Sequence, residues 1–119
     1  MREPFVHEAV LTMAADADTA APGAAITVAL CGHWEHEPPC PLSPHRSRAE
    51  RVGGDVHIRT IFEAEPASED VVRGRIDGAL NCGQLRGLDG TTVRWTLRSS
   101  GPGIVLGDEA DDARRLALG

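Results

Sequence analysis

The stretch Val56-His57-Ile58-Arg59-Thr60-Ile61-Phe62-Glu63, followed beyond Ala64 and Glu65 by Pro66-Ala67-Ser68-Glu69-Asp70-Val71-Val72-Arg73-Gly74-Arg75-Ile76-Asp77-Gly78-Ala79-Leu80-Asn81-Cys82-Gly83, changes its apolar period partway along. In the first part Val56, Ile58, Thr60 and Phe62 alternate with His57, Arg59 and Glu63, the two-residue period of a strand with one buried face; Ile61 alone breaks the polar side. In the second part Val72, Ile76, Ala79 and Leu80 recur at helical spacing. Ser68 is a good N-cap, Glu69 and Asp70 suit the positive end of a helix, and Asn81-Cys82-Gly83 is a natural stop.

Upstream, Phe5, Ala9, Leu11 and Met13 place apolar side chains on the odd positions of a second candidate strand, interrupted by His7. Asp16 to Gly23 has the acidic, Pro-Gly chemistry of a loop. Ile26, Val28 and Leu30 alternate with Thr27, Ala29 and Cys31, which predicts a strand running on to Trp34. Pro38, Pro39, Pro41 and Pro44 forbid regular pairing after it, and Gly53-Gly54-Asp55 marks a turn, so residues 35–55 are expected to form one long loop. Downstream, Asp89-Gly90 predicts a turn and Val93, Trp95 and Leu97 a further strand. Ser99 to Gly103 predicts a break, Ile104 to Leu106 a short strand, and Asp108 the cap of a last helix running through Leu118, with Arg114 and Arg115 near its end.

The first three strands so placed have no helix between them. The expected fold is therefore α+β: a mostly antiparallel four- to five-stranded sheet with one or two helices on one face, in a single domain over residues 1–119. A ferredoxin-like order is disfavoured on this reading, because that fold needs a helix after its first strand.

All twelve basic residues are arginine, and lysine and tyrosine are absent, the bias of a GC-rich, bacterial genome. Without lysine the chain has no ε-amine for Schiff-base chemistry. The formal charge of −6 argues against duplex binding, which rests on cationic contacts to phosphates. The longest apolar runs are too short to span a membrane, the first residues lack a signal-peptide core, and three cysteines are an odd number; a reducing cytoplasm is the expected setting. With few aromatic residues (Phe5, Trp34, Phe62, Trp95) the core is thin, which makes a homodimer a reasonable expectation.

The concentrated chemistry lies between Cys31 and His45. Cys31, His33, His36, Cys40 and His45, with Glu35 and Glu37 among them, supply the thiolate and imidazole groups that bind zinc and also suit copper or iron. The first expectation is a metal-binding domain, zinc foremost, with Cys31, His33, Cys40 and either His36 or His45 as a closed structural set. Three ligands plus water, with Glu35 as general base, would instead make a metal-dependent enzyme acting on a small molecule. A metal-free dimerisation or interaction module, a disulfide between Cys31 and Cys40 or one using Cys82, and plain exposed loop side chains are the competing readings.

Neither a zinc-finger spacing nor His-Glu-x-x-His is present. The fragments His33-Trp34-Glu35 and Pro39-Cys40 match parts of the zinc deaminase signature, but Ser43 stands where its second cysteine belongs, which excludes that family. Arg46, Arg48 and Arg51 form the densest basic patch and are candidates to hold a small anionic ligand, against the alternative of a solvated loop. His7 and His57 read as surface or boundary histidines, Trp34 and Trp95 as core.

Overall fold

A computed structural model describes residues 3–31, 45–86 and 90–111. The strand at 56–63 and the helix after it both form: β3 spans Asp55–Ala64 and α2 spans Glu69–Asn81, separated by a single 3-10 turn at Pro66–Ser68. The helix buries Val72, Ile76 and Leu80, the apolar spacing read from the sequence. It ends where Gly83 takes a φ of 73°, a left-handed conformation open to glycine without strain. β1, Glu3–Thr12, pairs antiparallel with β3 from Glu3↔Ala64 to Thr12↔Asp55.

Residues expected to form the second strand are instead helical: α1 spans Ala21–Cys31. Asp18 starts it, its carboxylate accepting from Ala20 N–H at 2.9 Å and its carbonyl from Ala21 N–H at 3.2 Å. Pro22 sits in the first turn, where its missing N–H costs nothing. Because α1 lies against α2, β2 and β4, almost every position is apolar and no polar face remains to reveal the 3.6-residue period. The alternation of Ile26, Val28 and Leu30 was accidental to that uniform composition.

The expected loop over 35–55 also gives way at its end. β2, His45–Val52, pairs antiparallel with β3 from His45↔Phe62 to Val52↔Asp55, and Gly53, with φ of 62°, turns the hairpin. β2 carries no apolar alternation because it is an edge strand, with Arg46, Arg48 and Glu50 outermost. Two short strands, β4 (Gln84–Arg86) and β5 (Thr92–Arg94), make a separate hairpin. β6, Thr96–Gly103, pairs with β1 across an irregularity at Val10/Leu11 and runs through Ser99–Gly103, where a break was expected. Residues 104–106, expected as a strand, are not one, and 107–111 are helical.

The four-stranded sheet has the order β2-β3-β1-β6. With α1 between β1 and β2, and α2 between β3 and β6, this is the β-α-β-β-α-β plan of ferredoxin-like folds. The α+β expectation holds; the objection to the ferredoxin-like order falls with the recognition of α1.

Both helices lie on one face. There Leu11, Ile58, Phe62, Ile26, Ile76 and Leu80 make one apolar core. Trp95, between β5 and β6, closes it: its indole N–H donates to Leu80 O at 2.9 Å and its backbone N–H to Gly83 O at 2.9 Å. On the other face a small second cluster, Val6 and Ile61, is met by Val105 from the chain beyond β6. No described helix is long and apolar enough to cross a membrane.

Candidate functional site

Of the five candidate metal ligands, His33, His36 and Cys40, and the side chain of Cys31, lie outside the described residues, as do Glu35 and Glu37. The two ends of the stretch are placed. Cys31 is the last residue of α1 and His45 the first of β2. His45 Nε2 lies 2.9 Å from Thr27 Oγ1, and that hydroxyl donates to Gly23 O at 3.2 Å. Thr27 Oγ1 thus bridges the α1 backbone and the His45 ring, the direction of its bond to Nε2 depending on the ring's tautomer. Position 31 is one helical turn beyond Thr27 on the same side of α1, so the packing of α1 on β2 sets both ends of the stretch at one corner of the fold. Among the described residues no group of three His, Cys, Asp or Glu side chains is arranged to hold a metal. Cys82 is an exposed thiol at the end of α2.

The basic patch divides. Arg46 and Arg48 are on the even positions of β2, on the open face of the sheet. Arg51 is on the odd set that faces α1, and its guanidinium donates to Ala14 O at 3.0 Å. It does not form a single anion cradle with the other two.

Two polar assemblies were not read from the sequence. The first is built on His7, which the structure buries to 3% exposure, correcting the expectation of a surface or boundary histidine. Arg73, from α2, donates to His7 Nδ1 at 3.1 Å and to Val6 O at 2.8 Å, while its Nε bonds Glu69 at 2.7 Å and its guanidinium lies over the Phe5 and Phe62 rings. An arginine cannot accept, so Nδ1 carries the lone pair and Nε2 the proton. That N–H faces Asp77 Oδ1 at 2.9 Å and Ser100 Oγ at 2.7 Å, and Ser100 donates to Asp77. The residue types resemble those of a hydrolytic triad, but the protonation does not: a base must offer Ser100 a lone pair, and His7 offers it a hydrogen. The group ties β1, β6 and α2 together. Burial lowers the His7 pKa below 6.5, with Arg73 acting the same way and Asp77 opposing.

The second assembly lies on the open face. Arg59 is the direct neighbour of Arg48 on β2 and of Glu8 on β1. Its Nε and Nη2 donate to the two oxygens of Glu109 at 2.5 and 2.7 Å, Nη1 pairs with Glu8, and Nη2 also reaches Ile104 O. Leu106 N–H adds a third donor to Glu109 at 3.0 Å. Arg59 holds the Glu109 carboxyl below its ordinary value against the opposing effect of desolvation; Leu106 N–H and the charge of Arg48 help. The Glu8 side chain also packs against Gly103 of β6, where a Cβ would fall 2.7 Å from Glu8 Cγ. Beside this network is a cleft of about 520 Å³ lined by Glu8, Arg48, His57, Arg59, Leu106 and Asp108, among others.

Only a long-range partner identifies Arg59 and Glu109, fifty positions apart; the one available sequence signal was an arginine and a glutamate at polar positions. The chain matches no protein-family model, and no curated relative matches it either, so the function rests on these local geometries.

Proposed function

We propose that the chain is a small metal-binding module, zinc first among the metals, of structural or binding rather than catalytic role. Its ligands come from Cys31, His33 and Cys40 with either His36 or His45. The observation that supports this is the seating of His45 on Thr27, one helical turn from the position of Cys31. A stretch whose two ends are already held together loses less chain entropy when a metal gathers its side chains. Where His45 is the fourth ligand, Thr27 would orient its ring as the outer partners of metal-bound histidines do.

Elemental mass spectrometry of untagged, chelator-treated and reconstituted protein tests this. About one equivalent of zinc per chain is expected, lost in a Cys31→Ala, Cys40→Ala variant whose circular dichroism still shows the α+β fold. No metal uptake on reconstitution rejects the proposal. Cobalt substitution then reads the coordination number: a closed four-ligand site gives tetrahedral d–d absorption that added anions leave unchanged.

A further inference from the structure

The sheet β2-β3-β1-β6 has two edges, and they are finished differently. β6 carries Pro102 between two glycines and pairs with β1 across an irregularity, devices that stop an edge from accepting another strand. β2 has neither: His45–Val52 contains no proline and pairs with β3 in one unbroken register. Among the described residues no strand pairs with its outer side. Arg46, Arg48, Ala49, Glu50 and Val52 are exposed along it. Charged side chains protect an edge when they repel the incoming strand, so the order of the charges decides whether a second copy is excluded.

Two copies of one strand pair antiparallel about a twofold axis, and residues set opposite each other must turn their backbone groups the same way. The axis therefore passes through a residue, not between two. At Ser47 it would set Arg46 opposite Arg48; at Arg48 it would set that arginine opposite itself; at Glu50 it would do the same to that glutamate. At Ala49 the result reverses. Arg48 of each copy stands opposite Glu50 of the other, Arg46 opposite Val52 and Ser47 opposite Arg51, with the small Ala49 side chain at the centre. Opposite charges in directly facing positions stabilise a strand pair, and like charges weaken it. The register also suits the rest of the sheet. Arg48 stands beside Arg59 on β3, whose own carboxylate partners are Glu8 and Glu109, and Glu50 of the second copy brings a carboxylate to the other side of Arg48.

We propose that the outer edge of β2 is a homodimer interface: two copies join edge to edge with Ala49 on the twofold axis, making one continuous antiparallel sheet with α1 and α2 of both copies on one face. An edge of eight residues buries less than the roughly 1,600 Å² of a standard interface, so the dimer is a weak and reversible one. The inference does not rest on the metal proposal, and chelator present throughout the test keeps a metal-bridged dimer from being counted.

The test is sedimentation equilibrium of the full chain and its variants, with circular dichroism confirming the fold of each. The unaltered chain is expected to show a monomer–dimer equilibrium below about 1 mM. Arg48→Glu sets like charges across the axis, and Glu50→Arg does so with the other sign; each is expected to weaken self-association about tenfold or more. Mixed in equal amounts, the two variants bring opposite charges together again in the mixed dimer. A chain carrying both Arg48→Glu and Glu50→Arg does so with itself, and both preparations are expected to recover the association. A chain that stays monomeric throughout that range overturns the proposal, as does a dimer that neither single substitution weakens. Loss of association without recovery in the mixture and the double variant overturns it too, because the charges then do not face each other in this register.

Discussion

The two faces of the sheet are closed by different physics. The helix-covered face is sealed by area: Leu11, Ile26, Phe62, Ile76 and Leu80 are removed from water, and the polar atoms left among them, on His7, Thr60 and Trp95, are engaged by specific partners. The open face is closed by a few charged contacts from a segment whose Ile104 and Leu106 stay wet while Val105 covers Val6 and Ile61. Apolar burial is non-directional and adds up over many residues, whereas the Arg59–Glu109 contact concentrates its effect in one pair. The first face should therefore resist salt better than the second, and the second should open without the first.

The largest effect is expected on the covered face. Ile76→Ala should lower the unfolding free energy by about 2–5 kcal/mol, as cavity-forming substitutions do, read from urea denaturation followed by circular dichroism. A loss below half a kilocalorie per mole would mean that α2 does not seal the core as described.

His7→Leu should cost about 1–3 kcal/mol, the scale for leaving buried hydrogen-bonding groups without their partner, here on Arg73 and Asp77. It should also change the pH dependence. The folded-state pKa of His7 lies below its unfolded value of 6.5, so the unfolded chain takes up the proton first as pH falls. Stability contributed by neutral His7 is complete above pH 6.5 and declines below it, a decline the His7→Leu variant should lack.

Glu109→Gln should have a smaller effect on global unfolding, about 1–2 kcal/mol for a charge-assisted hydrogen bond, and a larger local one. Amide exchange at 104–111 should speed up while β1 and β3 keep their protection. The Glu109 carboxyl is held below 4.5, so its contribution is full above that value and is lost as pH falls through the folded pKa. The open face should thus loosen in a lower pH window than the one in which His7 acts. Exchange that rises equally on both faces would erase the distinction.

The smallest effect belongs to Arg46→Ser, an exposed position on β2 directly opposite Ile61, which should move stability by less than about half a kilocalorie per mole.

How much of this was legible in the sequence follows from how each element meets solvent. β1, β3 and α2 each have one face in the core and one outside it, so Leu11, Ile58 and Ile76 recur with a period that names the element. α1 is apolar on every side, and β2 is polar on nearly every side; neither has a period, and the first was misread as a strand and the second as loop. That pair of errors hid the ferredoxin-like order. His7 was visible as an interruption among Phe5, Ala9 and Leu11, yet its burial depends on Arg73 and Asp77, about seventy positions away. The Cys31 to His45 cluster was legible as composition, and the structure adds the placement of its two ends.

The seating of Trp95 has an optical consequence. The chain has two tryptophans and no tyrosine, so its near-ultraviolet emission has only two sources of any strength. Trp95, hydrogen-bonded to the last turn of α2 and 6% exposed, is a blue-shifted reporter of the covered face. Trp34 belongs to the cysteine- and histidine-rich stretch. A single Trp34→Phe substitution would leave a protein whose fluorescence follows the core alone, and the difference between the two spectra would isolate the signal of the proposed metal ligands' own neighbourhood.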